Sequence, residues 1–114
     1  MNTLYGIKNC DTVKKARDWL AKNNVNYHFH DFRTDGLNAT QVKTWIDEIG
    51  LDSLVNKRST TWKELDTNTK ESFSEKTAVA IIVENPTLIK RPLLDTGKRK
   101  HVGFNDAEYA TLLK

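Results

Sequence analysis

The sequence predicts an α/β protein: a mixed four-stranded sheet with helices on its faces. Two observations carry this. Near the start, apolar residues change from extended to helical spacing and back, and late in the chain a turn separates two short extended stretches. A strand–helix–strand start implies a parallel pair joined by a right-handed crossover, and the late pair implies an antiparallel one. At 114 residues the chain is one domain with room for a single real core.

Thr3 to Tyr5 read as the first strand, closed by Gly6. From about Thr12, Val13, Ala16 and Leu20 recur at helical spacing with Trp19 beside them, and Asn23-Asn24 stops the pattern. Val25, Tyr27 and Phe29 alternate with polar residues as a second strand running toward Phe32, and Asp35-Gly36 is a turn. Asn38 to Gln41 has the form of a capping box, and Val42, Trp45, Ile46 and Ile49 follow on one helical face up to a left-handed stop at Gly50.

Leu51 to Phe73 is polar and broken, as short helices and loops are. Ala78 to Val83 reads two ways: its β-branched residues suggest a strand, whereas Ser74 as a cap and the stop at Asn85-Pro86 suggest a helix. Leu88 to Leu94 reads as extended chain around Arg91-Pro92. Asp95 to Lys98 is a turn, Arg99 to Phe104 returns as the last strand, and Asn105 with Glu108 caps a final helix. Thioredoxin-like folds have this layout.

The only cysteine, Cys10, falls between the first strand and the first helix. A thiol there lies near free backbone N–H groups and the positive end of the helix dipole, which favour the nucleophilic thiolate. Lys8 and Lys14 add positive charge and Asp11 a negative one. The alternative is a small buried hydrophobe, the commoner fate of a free cysteine.

Three separated stretches, YGIKNCDTVKKA, NKRSTTWKEL and NPTLIKRPLLDTGKRKHVGF, together resemble the arsenate reductase (ArsC)/Spx family and, within it, the YffB-like branch. The resemblance spans nearly the whole chain. It implies a thioredoxin-like core of about residues 1–35 and 86–114 with an inserted helical subdomain of about 36–85, in which Ala78 to Val83 is helical. It also implies that Cys10 is the redox cysteine and that Arg91-Pro92 carries a cis-proline beside it.

Departures from the family pattern shape the expected chemistry. Of the three arginines that hold arsenate in the glutaredoxin-coupled reductases, only Arg91 is matched. Asn56 and Gly103 stand at the other two positions, with Arg58 two places along. The Cys-x-x-Cys switch of the Spx regulators is absent, because no second cysteine exists. The resemblance therefore implies a monothiol reductase. Cys10 is the nucleophile, Arg91, Pro92, Arg58 and Lys8 bind the substrate, and glutathione is co-substrate with no bound cofactor. The alternatives are a Spx-like adaptor for RNA polymerase and a weak arsenate reductase.

Composition narrows the rest. No apolar run is long enough for a bilayer, and MNTLYGIKN lacks the pattern of a secretory signal, so a cytoplasmic, membrane-free protein is expected. The net charge is +3, and its tightest basic cluster, Lys98 to His101, reads as a solvated hairpin tip rather than a DNA contact. His28-x-His30-Asp31 lacks a third ligand at metal-site spacing, so no metal is expected. Trp19, Trp45 and Trp62 read as packing residues, and His101 as a hairpin residue able to approach the thiol.

Overall fold

In the computed structural model, which describes residues 2–113, the chain divides into two compact units. One is drawn from the two ends of the chain, up to Gly36 and from Arg91 onward, and the other comprises Leu37–Lys90.

The first unit holds β1 (Asn2–Gly6), α1 (Asp11–Lys22), β2 (Tyr27–Asp31), β3 (Leu93–Asp95), β4 (Lys100–Val102) and α7 (Asp106–Leu113). Its four-stranded sheet has the order β2-β1-β3-β4. β1 and β2 run parallel, while β3 is antiparallel to both β1 and β4. This is the mixed, thioredoxin-like sheet that the element order predicts.

Register explains the core. Leu4 lies opposite Phe29 and Leu94, so these side chains share one face of the sheet. There Leu4 and Leu94 cluster with Ala16 and Leu20 of α1 and Tyr109 of α7, all fully buried, with Trp19, Phe29 and Phe104 packed against them. Each fully buried leucine contributes about 1.5–3 kcal/mol. Tyr5, His30 and Leu93 take the opposite face, where Tyr5 and His30 stand 4.9 Å apart and His30 Nε2 donates to Gly36 O at 2.7 Å.

Helix α1 ends where Asn23-Asn24 predicts, but Val25 does not start the next strand. Val25 N–H donates to Leu20 O and Asn24 N–H to Ala21 O, with Asn24 at φ 56°. These paired bonds close the helix in a Schellman turn. The last strand is shorter than Arg99 to Phe104, because Arg99 O accepts from Thr96 N–H within the hairpin turn and Gly103 turns away at φ 83°. The predicted cap of α7 forms, with Glu108 N–H donating to Asn105 Oδ1 at 3.1 Å.

The second unit is helical: α2 (Ala39–Ile49), α3 (Leu51–Leu54), α4 (Thr60–Glu64), α5 (Thr67–Glu71), α6 (Glu75–Glu84) and a 3-10 turn at Pro86–Leu88. The Asn38–Gln41 capping box is present, and Gly50 ends α2 at φ 94°. Ala78 to Val83 is helix, and α6 packs on α2. Its boundary with the first unit lies at Lys90/Arg91 rather than near residue 85. Val55 bridges Ile89, Asn56 N–H donates to Leu88 O, and Lys90 N–H donates to Leu54 O, tying residues 88–90 to the helices. The expected extended chain thus begins after a 3-10 turn.

Among the described residues, no helix is long and apolar enough to cross a membrane.

Candidate functional site

β1 delivers the chain to Cys10. Gly6 O accepts from Phe32 N–H at 2.9 Å, continuing the parallel ladder past β2. A tight turn follows, in which Cys10 N–H donates to Ile7 O at 3.2 Å. Cys10 is the N-cap residue of α1, extended at φ −103° and ψ 124°, and its carbonyl accepts from Lys14 N–H at 3.0 Å.

The N–H groups of a helix's first turn have no partner inside the helix, and Ser, Thr, Asn or Asp at this position normally takes one. Cys10 makes no such side-chain bond and is half-buried. Its sulfur therefore lies beside a helix N-terminus without being committed to the cap.

Two further segments reach the same end of the sheet. Because Tyr5 pairs with Leu93 in antiparallel register, the preceding Arg91–Pro92 peptide, which is cis, lies beside the end of β1. Pro92 is buried and its carbonyl accepts from Gly103 N–H at 2.9 Å, while Arg91 is half-buried. β2 ends there too, at Asp31, because it runs parallel to β1.

Asp31 is the feature that sequence reasoning missed. It is the buried charged residue of the sheet, 5% exposed. Its Oδ2 accepts from Lys8 N–H at 3.4 Å and its Oδ1 from Arg33 N–H at 2.8 Å. The carboxylate thus braces the turn that carries Cys10 against the end of β2. An aspartate ending an alternating strand just before a turn was the available signal.

The predicted site residues separate into two groups. Cys10, Lys8, Arg91 and Pro92 belong to the sheet unit and gather at one end of it. Arg58 belongs to the helical unit, where it is exposed and its N–H donates to Asn56 Oδ1 at 3.0 Å. His101 is committed elsewhere: its Nε2 lies 2.8 Å from Glu108 Oε2, and its ring meets Tyr109 edge-on. Trp45 is buried, while Trp19 and Trp62 meet Tyr109 and Phe73 edge-on, so all three serve packing. Among the described residues no group of three or more His, Cys, Asp or Glu side chains is arranged to hold a metal.

Residues 5–112 match the ArsC family. The chain belongs to that family. An uncharacterized protein of Haemophilus influenzae is 50% identical to it over 109 residues, which are 96% of each chain. The global transcriptional regulator Spx of Streptococcus pyogenes is 30% identical over 115 residues, covering 99% of this chain and 85% of its own. Among solved structures, a YffB protein matches over the whole of both chains with a TM-score of 0.96 at 39% identity.

Within this ArsC-family chain, the two positions where the resemblance places oxyanion arginines have other local duties. Asn56 shapes a turn, with its Oδ1 accepting from Arg58 N–H and its carbonyl from the Ser59 hydroxyl. Gly103 sits at φ 83°, in the region that favours glycine.

Proposed function

We propose that this protein is a glutathione-dependent monothiol reductase in which Cys10 attacks a disulfide. The placement of Cys10 carries the reading: half-buried, N-terminal to α1, and without a capping bond that would occupy its sulfur. Membership of the ArsC family supports thiol chemistry for this residue. The first turn of α1 offers backbone N–H groups beside the sulfur, and Arg91 and Lys8 take the carboxylates of glutathione. Pro92, buried beside the end of β1, shapes the substrate groove.

The reaction runs in two exchanges. The Cys10 thiolate attacks the glutathionyl sulfur of a mixed disulfide. A new S–S bond to Cys10 forms, the old one breaks, and the substrate leaves as a thiolate. With no second cysteine in the chain, a glutathione thiolate then attacks the adduct, freeing Cys10 and leaving oxidised glutathione. The lone thiol suits a reducing compartment such as the cytoplasm.

Intact-mass spectrometry after incubation with oxidised glutathione tests this. One adduct on Cys10 is expected, reversed by reduced glutathione and absent from Cys10→Ser. Arg91→Ala should slow adduct formation about tenfold or more, through loss of a charge-assisted bond of about 1.5–3 kcal/mol. An unmodified native protein whose denatured form reacts readily would overturn the reading.

A second reading, an adaptor for RNA polymerase, is favoured by the 30% identity to Spx. It needs no turnover with glutathione, and a pull-down with purified RNA polymerase tests it.

A further inference from the structure

A cavity of about 280 Å³ opens beside α1 and the start of β2, lined by Lys8, Lys14, Arg17, Asp18, Ala21 and Tyr27. Lys14, Arg17, Asp18 and Ala21 recur at i, i+3, i+4 and i+7, so they form one helical stripe. Cys10, four residues before Lys14, stands at the head of that stripe. Lys8, two residues before Cys10, closes the same end.

The lining carries three cations and one carboxylate. Among the described residues, Lys8, Lys14 and Arg17 are in no ion pair. Arg17 is also held in place. Its Nε donates to the Tyr27 hydroxyl at 3.1 Å, and its guanidinium carbon lies 4.2 Å from the centre of the Phe29 ring. A guanidinium stacked and tethered in this way presents its terminal amino groups at little entropic cost. The Tyr27 hydroxyl, accepting from Arg17, keeps its own proton to donate.

We propose that this cavity is a subsite for an acidic polypeptide segment flanking the substrate disulfide, so that the substrates are protein mixed disulfides with carboxylates beside the cysteine. Reach selects a polypeptide. From Cys10 to Ala21 the helix rises about 16 Å, which takes about five extended residues on one side of the disulfide, whereas glutathione has a single residue on either side of its cysteine. The subsite rests on Cys10 being the reacting thiol, and it names the substrate class for that chemistry.

Short single-cysteine peptides, each a mixed disulfide with glutathione, test it. Cys10 bonds to the glutathionyl sulfur, the peptide–glutathione bond breaks, the peptide leaves as a thiolate, and the growth of the Cys10 adduct is followed by intact mass at low ionic strength. A peptide with aspartates flanking its cysteine should react about tenfold faster than its asparagine counterpart, the scale of electrostatic steering into a charged cleft. Lys14→Glu or Arg17→Gln should bring that ratio to near one. An unchanged ratio in both variants, or no acidic preference in the parent, overturns the subsite while leaving the thiol chemistry standing.

If oxidised glutathione shows the same dependence on Lys14 and the acidic peptide shows none, the cavity serves glutathione and the proposal falls. If Cys10 reacts with no disulfide, the reductase reading fails. The subsite is then judged by NMR of the Cys10→Ser chain titrated with the aspartate peptide lacking the disulfide. Shifts at Arg17 Nε–H and Tyr27 support it, and their absence overturns it.

Discussion

A Cβ placed on Gly6 would stand 2.8 Å from Val13 Cγ2, so β1 and the first turn of α1 meet with no side chain between them. Val13 is fully buried and branched at Cβ, and cannot swing aside. The contact sets how closely the turn bearing Cys10 is drawn against the sheet. Gly6→Ala should cost about 1–3 kcal/mol through overpacking, and should cost less in a chain that already carries Val13→Ala. Urea unfolding of the parent, the two single variants and the double variant checks this. A Gly6→Ala protein as stable as its parent would show that the helix retreats freely.

Asp31 should matter to both stability and the thiol. Asp31→Ala leaves the Lys8 and Arg33 N–H groups without the acceptor they have in the parent, at a cost of about 1–3 kcal/mol. The loosened turn should also slow Cys10 alkylation by iodoacetamide in protein that remains folded. Asp31→Asn keeps an acceptor oxygen and should restore most of the rate. Equal alkylation rates in all three proteins would reduce Asp31 to a purely structural brace.

Tyr109 offers a pH test. Its hydroxyl is fully buried with no hydrogen-bond partner among the described residues, and burial pushes the phenol well above its ordinary value. Above about pH 10 the unfolded chain releases this proton while the folded chain keeps it, so stability falls as pH rises, by up to about 1.4 kcal/mol per unit. Tyr109→Phe removes that slope, and near neutral pH it should be neutral or slightly stabilising, because no hydrogen bond is lost. Unfolding midpoints of both proteins from pH 8 to 11.5 give the comparison, and parallel curves would contradict it.

Arsenate turnover should be negligible even with glutathione and glutaredoxin supplied. Gly103→Arg does not simply restore a clamp. Space is open around a Cβ there, yet φ 83° strains any L side chain, at about 1–2 kcal/mol. Asn56→Arg also removes the acceptor of Arg58 N–H. The double variant should therefore be less stable than the parent, with at most a trace gain in arsenate reduction. Robust turnover by the parent would show that the remaining cations suffice.

Much of this molecule follows from chemistry local in the chain. The Asn38–Gln41 box, the Asn105 cap and the Asn23-Asn24 stop each act through side chains or backbone within a few residues of the bonds they make. The placement of Cys10 at a helix start is equally local, because it needs only a glycine-closed strand followed by a helical repeat. Ala78 to Val83 marks the limit of such reading. Its β-branched residues suit either state, and packing of α6 on α2 selects the helix.

Long-range pairing decided the rest. Asp31 stands 23 residues from Lys8 in the chain, and parallel register alone brings its carboxylate to the Cys10 turn. Val25, alternating as a strand residue should, is drawn instead into closing α1. The guanidinium of Arg17, a routine surface cation by its neighbours, is fixed by Tyr27 and Phe29 of the adjacent strand. Helix and turn signals lie within the few residues that interact. A brace or a tethered guanidinium depends on contacts between distant segments, and those exist only once the sheet has set its register.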